Sequence, residues 1–525
     1  MICCFSFNER NVNKMDTFTP DSEFFRSRNT ENPINPPIEL FSTSDVVFSV
    51  IAMLLGYLFM NIVVFGGIGL GTLIFFALLI AFALVYARIS RAKQSPISIF
   101  LMVTAAVFSL NFLLSSNLFI KRLDLIFILS LMAMWCFSLN NSLYKGADDN
   151  IIYNLVSAVF IFPFRNFSKA PKCIESGIKN NKNAKIMKNI FIGLLIGIPA
   201  TCTSCILLMS ADKSFSLIIN NLAENSFKNL SMNFIYLSIG MPIGCFLFGM
   251  VFSGIKAKQS EKLNEKFQNS CRETMYGFSP IVIYTSVIPL CIIYVIFFFT
   301  QINYFTSAFA NVLPNSYETA AEYARQGFFE LCAVALVNLA VIIAINYFCK
   351  LNDGKRYTML KFLTALLSVF TLILIGTAAS KMIMYISRFG LTQLRFYTTW
   401  FMALLAALFI LIFIRQFKKI NFAKIFMIFF VLMLAGLSFG KTDALITKYN
   451  IYAYEAGYTE KFDVENISEL SLDAASEMEK LLDSENEMLR NAAEEYFSRI
   501  GTEIPNEQNL KNFTLPVYKV LNRQG

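Results

Sequence analysis

Residues 46–87 read VVFSVIAMLLGYLFMNIVVFGGIGLGTLIFFALLIAFALVYA, which is 42 residues without an Asp, Glu, Lys or Arg. An α-helix rises about 1.5 Å per residue, so about 20 apolar residues cross the hydrocarbon of a bilayer. The stretch holds two such lengths, meeting at Gly66-Gly67, and predicts a tight pair of spanning helices. Runs of the same kind recur along the chain: 46–65, 67–87, 97–115, 123–140, 189–210, 232–254, 278–300, 327–348, 358–379, 397–414 and 425–440. They predict an all-α fold, a polytopic transmembrane bundle of about 11 spans. The run 151–164 is too short to span easily and ends in Phe162-Pro163-Phe164-Arg165, so it is expected to be interfacial or re-entrant.

Composition supports the same reading. Of 525 residues, 56% are apolar and only 15% charged, with 55 Phe and a mean hydropathy of +0.55. Soluble domains carry about 25% charged residues. A bilayer solvates such a chain directly, whereas a water-soluble core could not hide it. Strand-length alternation is absent, which argues against an outer-membrane barrel. The 11 cysteines are odd in number and several sit in apolar runs (Cys136, Cys245, Cys291, Cys332), against a disulfide framework. There is no histidine, which removes His-based catalysis, His metal ligands and the usual near-neutral switch.

The net charge of +9 conceals an asymmetry: 441–525 carries 16 acidic and 9 basic residues, and the remainder is strongly basic. The basic residues are scattered through short loops, which fits anionic lipid better than nucleic acid, so no nucleic-acid partner is expected. Residues 1–44 are polar, contain Pro33, Pro36 and Pro37, lack a signal-peptide apolar region and read as a flexible cytoplasmic tail; Met15 offers an alternative start. With that tail inside, inner loops 88–96, 140–188, 255–277, 349–357 and 415–424 hold 23 Lys and Arg, against 8 in outer loops 66, 116–122, 211–231, 301–326 and 380–396. Lys121-Arg122 is the exception, since it falls outside. The expected organisation is a tail at 1–44, a membrane domain at 45–440 and an acidic extracytoplasmic appendage at 441–525. Helical spacing of Leu470, Leu472, Ala475, Met478, Leu481 and Leu482, then Met488, Leu489, Ala492, Ala493, Tyr496 and Phe497, predicts short amphipathic helices there, with Asp473 and Ser484 as N-caps.

Polar groups in the apolar runs are few: Asn61, Asn111, Asp124, Glu330, Asn338, Asn346 and Lys361. Glu330, one turn into its run, is either an interfacial carboxylate or a coupling group, and Lys361 is expected to snorkel to the inner surface. Cys202-Thr-Ser-Cys205 has redox or metal spacing, but it lies within a run after Pro199, and helix packing is the favoured reading. Gly66-Gly67-Ile-Gly69-Leu-Gly71 lacks a preceding strand and a following Lys-Ser/Thr, so it predicts close helix approach rather than a phosphate loop. No catalytic, cofactor-binding or metal residue is nominated.

Four stretches resemble a family of bacterial membrane proteins, DUF4173, related to DUF4153. They are Ser210-Ala-Asp-Lys-Ser-Phe215, Tyr323-Ala-Arg-Gln-Gly-Phe-Phe-Glu-Leu331, Arg388-Phe-Gly-Leu-Thr-Gln-Leu-Arg395 with Trp400, and Asp443-Ala-Leu-Ile-Thr-Lys-Tyr-Asn-Ile451. The resemblance implies a multi-pass protein of a bacterial plasma membrane and supplies no activity. By the topology above, all four stretches reach the outer face. There they would gather Asp212, Lys213, Glu322, Arg325, Glu330, Lys381, Arg388, Arg395 and Asp443 into a polar vestibule, or else into ion pairs that pin the outer loops. Three functions follow. A non-enzymatic sensor, regulator or scaffold meeting the bilayer and an extracytoplasmic protein or small ligand is favoured. A transporter or permease is the alternative. A His-independent enzyme acting on lipid or wall precursors, with Glu330, Asp212 and Asp443 as its only candidate carboxylates, comes third.

Overall fold

A computed structural model describes residues 41–141, 151–177, 193, 197, 200–201, 203–222, 228–256, 280–309, 328–348, 358–459, 462–503 and 511–524, and Thr43–Gly525 is one compact unit. Its described residues form helices and no strand. The helices are α1 (Thr43–Leu58, continued by a wider turn at Phe59–Val64), α2 (Leu70–Ile89), α3 (Pro96–Ser109, continued by Asn111–Leu114) and α4 (Leu118–Ser138). Next come α5 (Ile151–Val156, continued through Ser157–Ile161 to Phe162–Arg165), α6 (Lys169–Gly177), α7 (Lys213–Leu222) and α8 (Lys228–Ile255). Four long helices follow, α9 (Pro280–Phe309), α10 (Phe328–Phe348), α11 (Thr358–Phe389) and α12 (Gln393–Phe417), then α13 (Phe422–Phe439). The C-terminal segment contributes α14 (Thr442–Glu455), α15 (Val464–Ser468), α16 (Ala475–Met478, between tighter turns at Leu472–Ala474 and Glu479–Leu481), α17 (Glu487–Glu503) and α18 (Leu515–Gln524).

Among the described residues, eight helices are long and apolar enough to cross a membrane: Thr43–Val64, Leu70–Ile89, Pro96–Leu114, Ile235–Ile255, Ile281–Phe299, Thr358–Phe389, Gln393–Phe417 and Phe422–Phe439. Each coincides with one of the eleven apolar runs. Of the other three, 123–140 belongs to α4, which carries Lys121, Arg122 and Asp124 near its start. Run 327–348 is α10, whose Glu330–Ile345 portion forms a shorter apolar helix. Ten of the 22 residues of 189–210 lie outside the described residues, Cys202 included, and 203–210 are helical.

Two packed groups make the bundle. In the first, α1 crosses α8 at glycines: a Cβ on Gly244 would lie 2.7 Å from the Ala52 carbonyl oxygen, and one on Gly240 would lie 2.8 Å from that of Gly56. Only hydrogen at Cα lets two backbones approach so closely. Phe48 stacks on Tyr86, their centroids 4.4 Å apart, and Phe76 stacks on Phe112 at 5.7 Å. In the second group, Val287, Ala335, Leu367, Ala378 and Phe409 form a core drawn from α9, α10, α11 and α12. The Tyr294 hydroxyl donates to Asn338 (2.6 Å), whose amide donates to Thr371 (2.9 Å), whose hydroxyl donates to the Leu367 carbonyl (2.7 Å).

The two ends of the first group are stitched differently. At one end, Tyr86 donates to Asp45 (2.8 Å), Lys256 pairs with Asp45 (3.5 Å), and Asn140 exchanges bonds with Lys93 and donates to the carbonyls of Gly254 and Ile255. The stretch 151–165 turns at Asn166 and returns as α6, whose Gly177 lies against Val46 at this same end. At the other end, 16 residues along α1 from Asp45 and so about 24 Å away, Asn61 accepts from Lys511 of the C-terminal segment.

The glycine run 66–71 meets that segment too. Leu70 N donates to Phe513 O (2.9 Å) and Gly71 N to Lys511 O (3.1 Å), and a Cβ on Gly69 would lie 2.5 Å from the carbonyl carbon of Asn512. The close approach expected of these glycines is therefore made in part by the turn at 511–513 ahead of α18, and at Gly71 also by Ile62 of the helical continuation of α1, 2.8 Å from where a Cβ would lie. The expected caps also change. Ser471, not Asp473, caps the turn at Leu472, and Asn486 accepts from Met488 N (3.0 Å) at the start of α17, while Ser484 binds Asn486 N (3.2 Å) one step earlier. Asp473 faces the bundle instead.

Candidate functional site

The site begins where α3 stops. After Leu114 the chain turns extended at Ser115, and Asn117 restarts a helix by accepting from Ile120 N (3.1 Å). A break of three polar residues between two apolar helices leaves backbone and hydroxyl donors that must be matched where water is scarce. Asp473 matches them. It accepts from Ser115 Oγ (2.5 Å), Ser116 N (2.9 Å) and Ser116 Oγ (3.0 Å).

Asp443 lies beside it at the first turn of α14. It is fully buried and accepts from Asn117 Nδ2 (3.0 Å), Gln393 Nε2 (2.9 Å), Ser471 N (3.1 Å) and Ser471 Oγ (2.5 Å). Burial raises its carboxyl above the ordinary aspartate range, the donors from Ser471 and Gln393 oppose that rise, and the charge of Asp473 adds to it. Four donors to one carboxylate are the usual compensation for burying it. Tyr397 accepts from Asn117 (2.7 Å), and the buried Tyr496 donates to Ser471 O (2.8 Å).

The turn 390–392 completes the junction. Gly390 has φ +73°, which favours glycine, and a Cβ there would lie 2.6 Å from Asn450 Oδ1. Asn450 accepts from Leu391 N and donates to Leu391 O, both at 2.7 Å, so α14 reads this turn through its backbone. Thr392 caps α12. Beneath, Asp124 is buried and accepts from Asn111 Nδ2 (2.6 Å) and Ser438 Oγ (2.7 Å).

Two cavities flank the junction. One, of about 260 Å³, is lined by Asn111, Ser115, Ser438, Lys441, Asp473 and Lys519 among others, and the buried Asn111 Oδ1 has no hydrogen-bond partner. The other, of about 530 Å³, is lined by Gly67, Ile68, Asn117, Phe119, Lys121, Arg499 and Thr514 among others. Among the described residues no cluster of three or more His, Cys, Asp or Glu could hold a metal ion.

The nominated residues separate. Asp443 is the centre of the junction. Arg395 is near it across the same turn, donating to Phe389 O (2.8 Å) and Gly390 O (2.6 Å) with its guanidinium 4.1 Å above the Tyr385 ring centre. Glu330 is exposed and close enough to act electrostatically on the buried Lys381. Asp212 caps α7 through Phe215 N (2.9 Å) and is exposed, as are Lys213 and Arg388. Glu322 and Arg325 lie outside the described residues. Among the described members no hydrogen bond or ion pair joins one to another.

Sequence reasoning missed Ser115, Ser116, Ser471 and the carboxylate role of Asp473, and it treated Lys121 as a topological exception. Lys121 is in fact buried, its ammonium on the Ile68 carbonyl at 2.8 Å. The usable signal was a polar Ser-Ser-Asn break between two apolar runs.

Neither the curated proteins nor the solved structures contain a match to this chain. The family described as a domain of unknown function, DUF4153, matches residues 102–481, from α3 to the end of the turns after α16. That is well over half of the chain, and with its apolar helices the protein is a multi-pass membrane protein that belongs to the DUF4153 family.

Proposed function

We propose that the chain is a non-enzymatic sensor, regulator or scaffold of a bacterial plasma membrane, with its N-terminus cytoplasmic and its C-terminal appendage outside. One observation carries the reading: Asp443 sits in a buried hydrogen-bonded junction that ties α14 and Ser471 to the α3–α4 break and to the start of α12. A segment held this way moves with the bundle, so contact at the appendage is felt by the spans. Asp443 and Arg395 are held by hydrogen bonds at the junction, while Asp212, Lys213, Glu330 and Arg388 are separate exposed charges open to an extracytoplasmic protein or a small ligand. The carboxylates of the junction are each held by several donors, which suits structure better than proton transfer. The finer placement within DUF4173 rests on the four quoted stretches.

A transporter reading would draw on the Tyr294–Asn338–Thr371 chain across three helices. Every bond of that chain is internal and ends on a backbone carbonyl, so it serves as a clasp. Quantitative co-purification from native membranes in polymer discs tests the favoured reading. A partner enriched about tenfold with the full chain, and lost with Asp443→Ala, is expected. Identical co-purifying sets for both proteins would remove it.

A further inference from the structure

The cavity of about 530 Å³ contains a charge that the junction does not use. Lys121 is 2% exposed, and among the described residues its ammonium makes one hydrogen bond, to Ile68 O, and forms no ion pair. An ammonium carries three donors, and leaving two of them dry is costly. Asp473 is near enough for its charge to reach Lys121, but its oxygens are taken by Ser115 and Ser116, and it does not line this cavity. Asp443 is likewise enclosed by Asn117, Gln393 and Ser471.

The groups that do line the cavity are of the opposite kind. Arg499, half-buried, donates to Leu470 O (2.7 Å) and borders the space, and Thr514 Oγ1 is buried there with no partner. Among the described lining residues Glu469 is the one carboxylate, and it is exposed. Leu118 and Phe119 also line it, at 55% and 52% exposure. They lie in the first turn of α4, next to the apolar part of that helix.

We infer that this cavity binds an oxyanion of the phosphate class, held by Lys121 with help from Arg499 and the Thr514 hydroxyl. The apolar lip beside a buried cation points to the headgroup of an anionic phospholipid whose chains run down the outside of α4. Free inorganic phosphate is the other source of the same chemistry. The inference occupies the junction described above, but it does not depend on which side of the membrane the appendage faces. A binding assay on purified protein can therefore fail while the outward reading stands, and the reverse.

The test uses full-length protein in detergent, titrated with short-chain phosphatidic acid, short-chain phosphatidylcholine and inorganic phosphate, and read by native mass spectrometry and thermal shift. Phosphatidic acid is expected to bind about tenfold tighter than phosphatidylcholine, with Lys121→Met losing that preference. If Lys121→Met does not give a monodisperse protein, Arg499→Gln carries the test, with a loss of about threefold expected. Binding of phosphate without the lipid supports the anion site and assigns it to the free ion. Equal binding of anionic and zwitterionic lipid with no phosphate binding overturns the inference, as does unchanged affinity in a folded Lys121→Met.

Discussion

At the residue scale the account rests on Asp443. A carboxylate with no exposure and four donors is held in place by those donors, and each hydrogen bond to a charged group contributes about 1.5–3 kcal/mol. Asp443→Ala leaves Asn117, Gln393 and Ser471 with unmet donors and is expected to cost at least ~3 kcal/mol, read as a fall in the thermal midpoint. The pH dependence follows from burial. Because the folded state raises the Asp443 pKa, it binds the proton more tightly than the unfolded chain. The associated stability is complete below about pH 4, the unfolded value, and is lost as pH rises through the folded one. Asp443→Asn is expected to flatten that part of a midpoint-against-pH curve, and an unchanged slope contradicts the assignment. Asp443 was legible in the sequence as a charge at the end of an apolar run. Asp473 was not: its partners Ser115 and Ser116 lie more than 350 residues earlier, and local spacing makes it look like a helix cap. Lys121 misled for a related reason, since counting loop charges cannot tell a solvated lysine from a buried one.

At the element scale, glycine spacing decides which backbones meet. The α1–α8 crossing needs Gly56, Gly240 and Gly244 bare. Gly244→Leu is expected to cost about 1–3 kcal/mol or to separate the helices, checked by resistance to denaturing detergent on a gel. At the other end, Gly69→Val should displace 511–513. Hydrogen exchange at the Leu70 and Gly71 amides would then rise by about tenfold or more, because their acceptors are Phe513 O and Lys511 O. Unchanged protection there would show that the segment docks by other means. The helices themselves were readable from long apolar runs, as the agreement for 46–65, 67–87 and 97–115 illustrates. The partner of the glycine run was not, because a bare glycine signals proximity without saying to what.

At the scale of the whole molecule, the packing sorts the connections to two ends. The turns at 66–71, 115–117, 390–392 and 440–441 gather beneath the C-terminal helices, while 88–95, 139–141 and 254–256 meet at the end marked by Asp45. The proposal that the second set lies inside rests on its excess of Lys and Arg. Apolar length made the spans legible from sequence. The junction was not legible, because it depends on which loops the appendage covers. The most direct measurement is labelling of single cysteines with a membrane-impermeant maleimide in intact cells, in a cysteine-depleted background. Glu485→Cys, exposed on the appendage, and Lys419→Cys, exposed between α12 and α13, report the two ends. Labelling of position 485 without permeabilisation, and of 419 only after it, is the predicted result, and the reverse pattern would contradict the account.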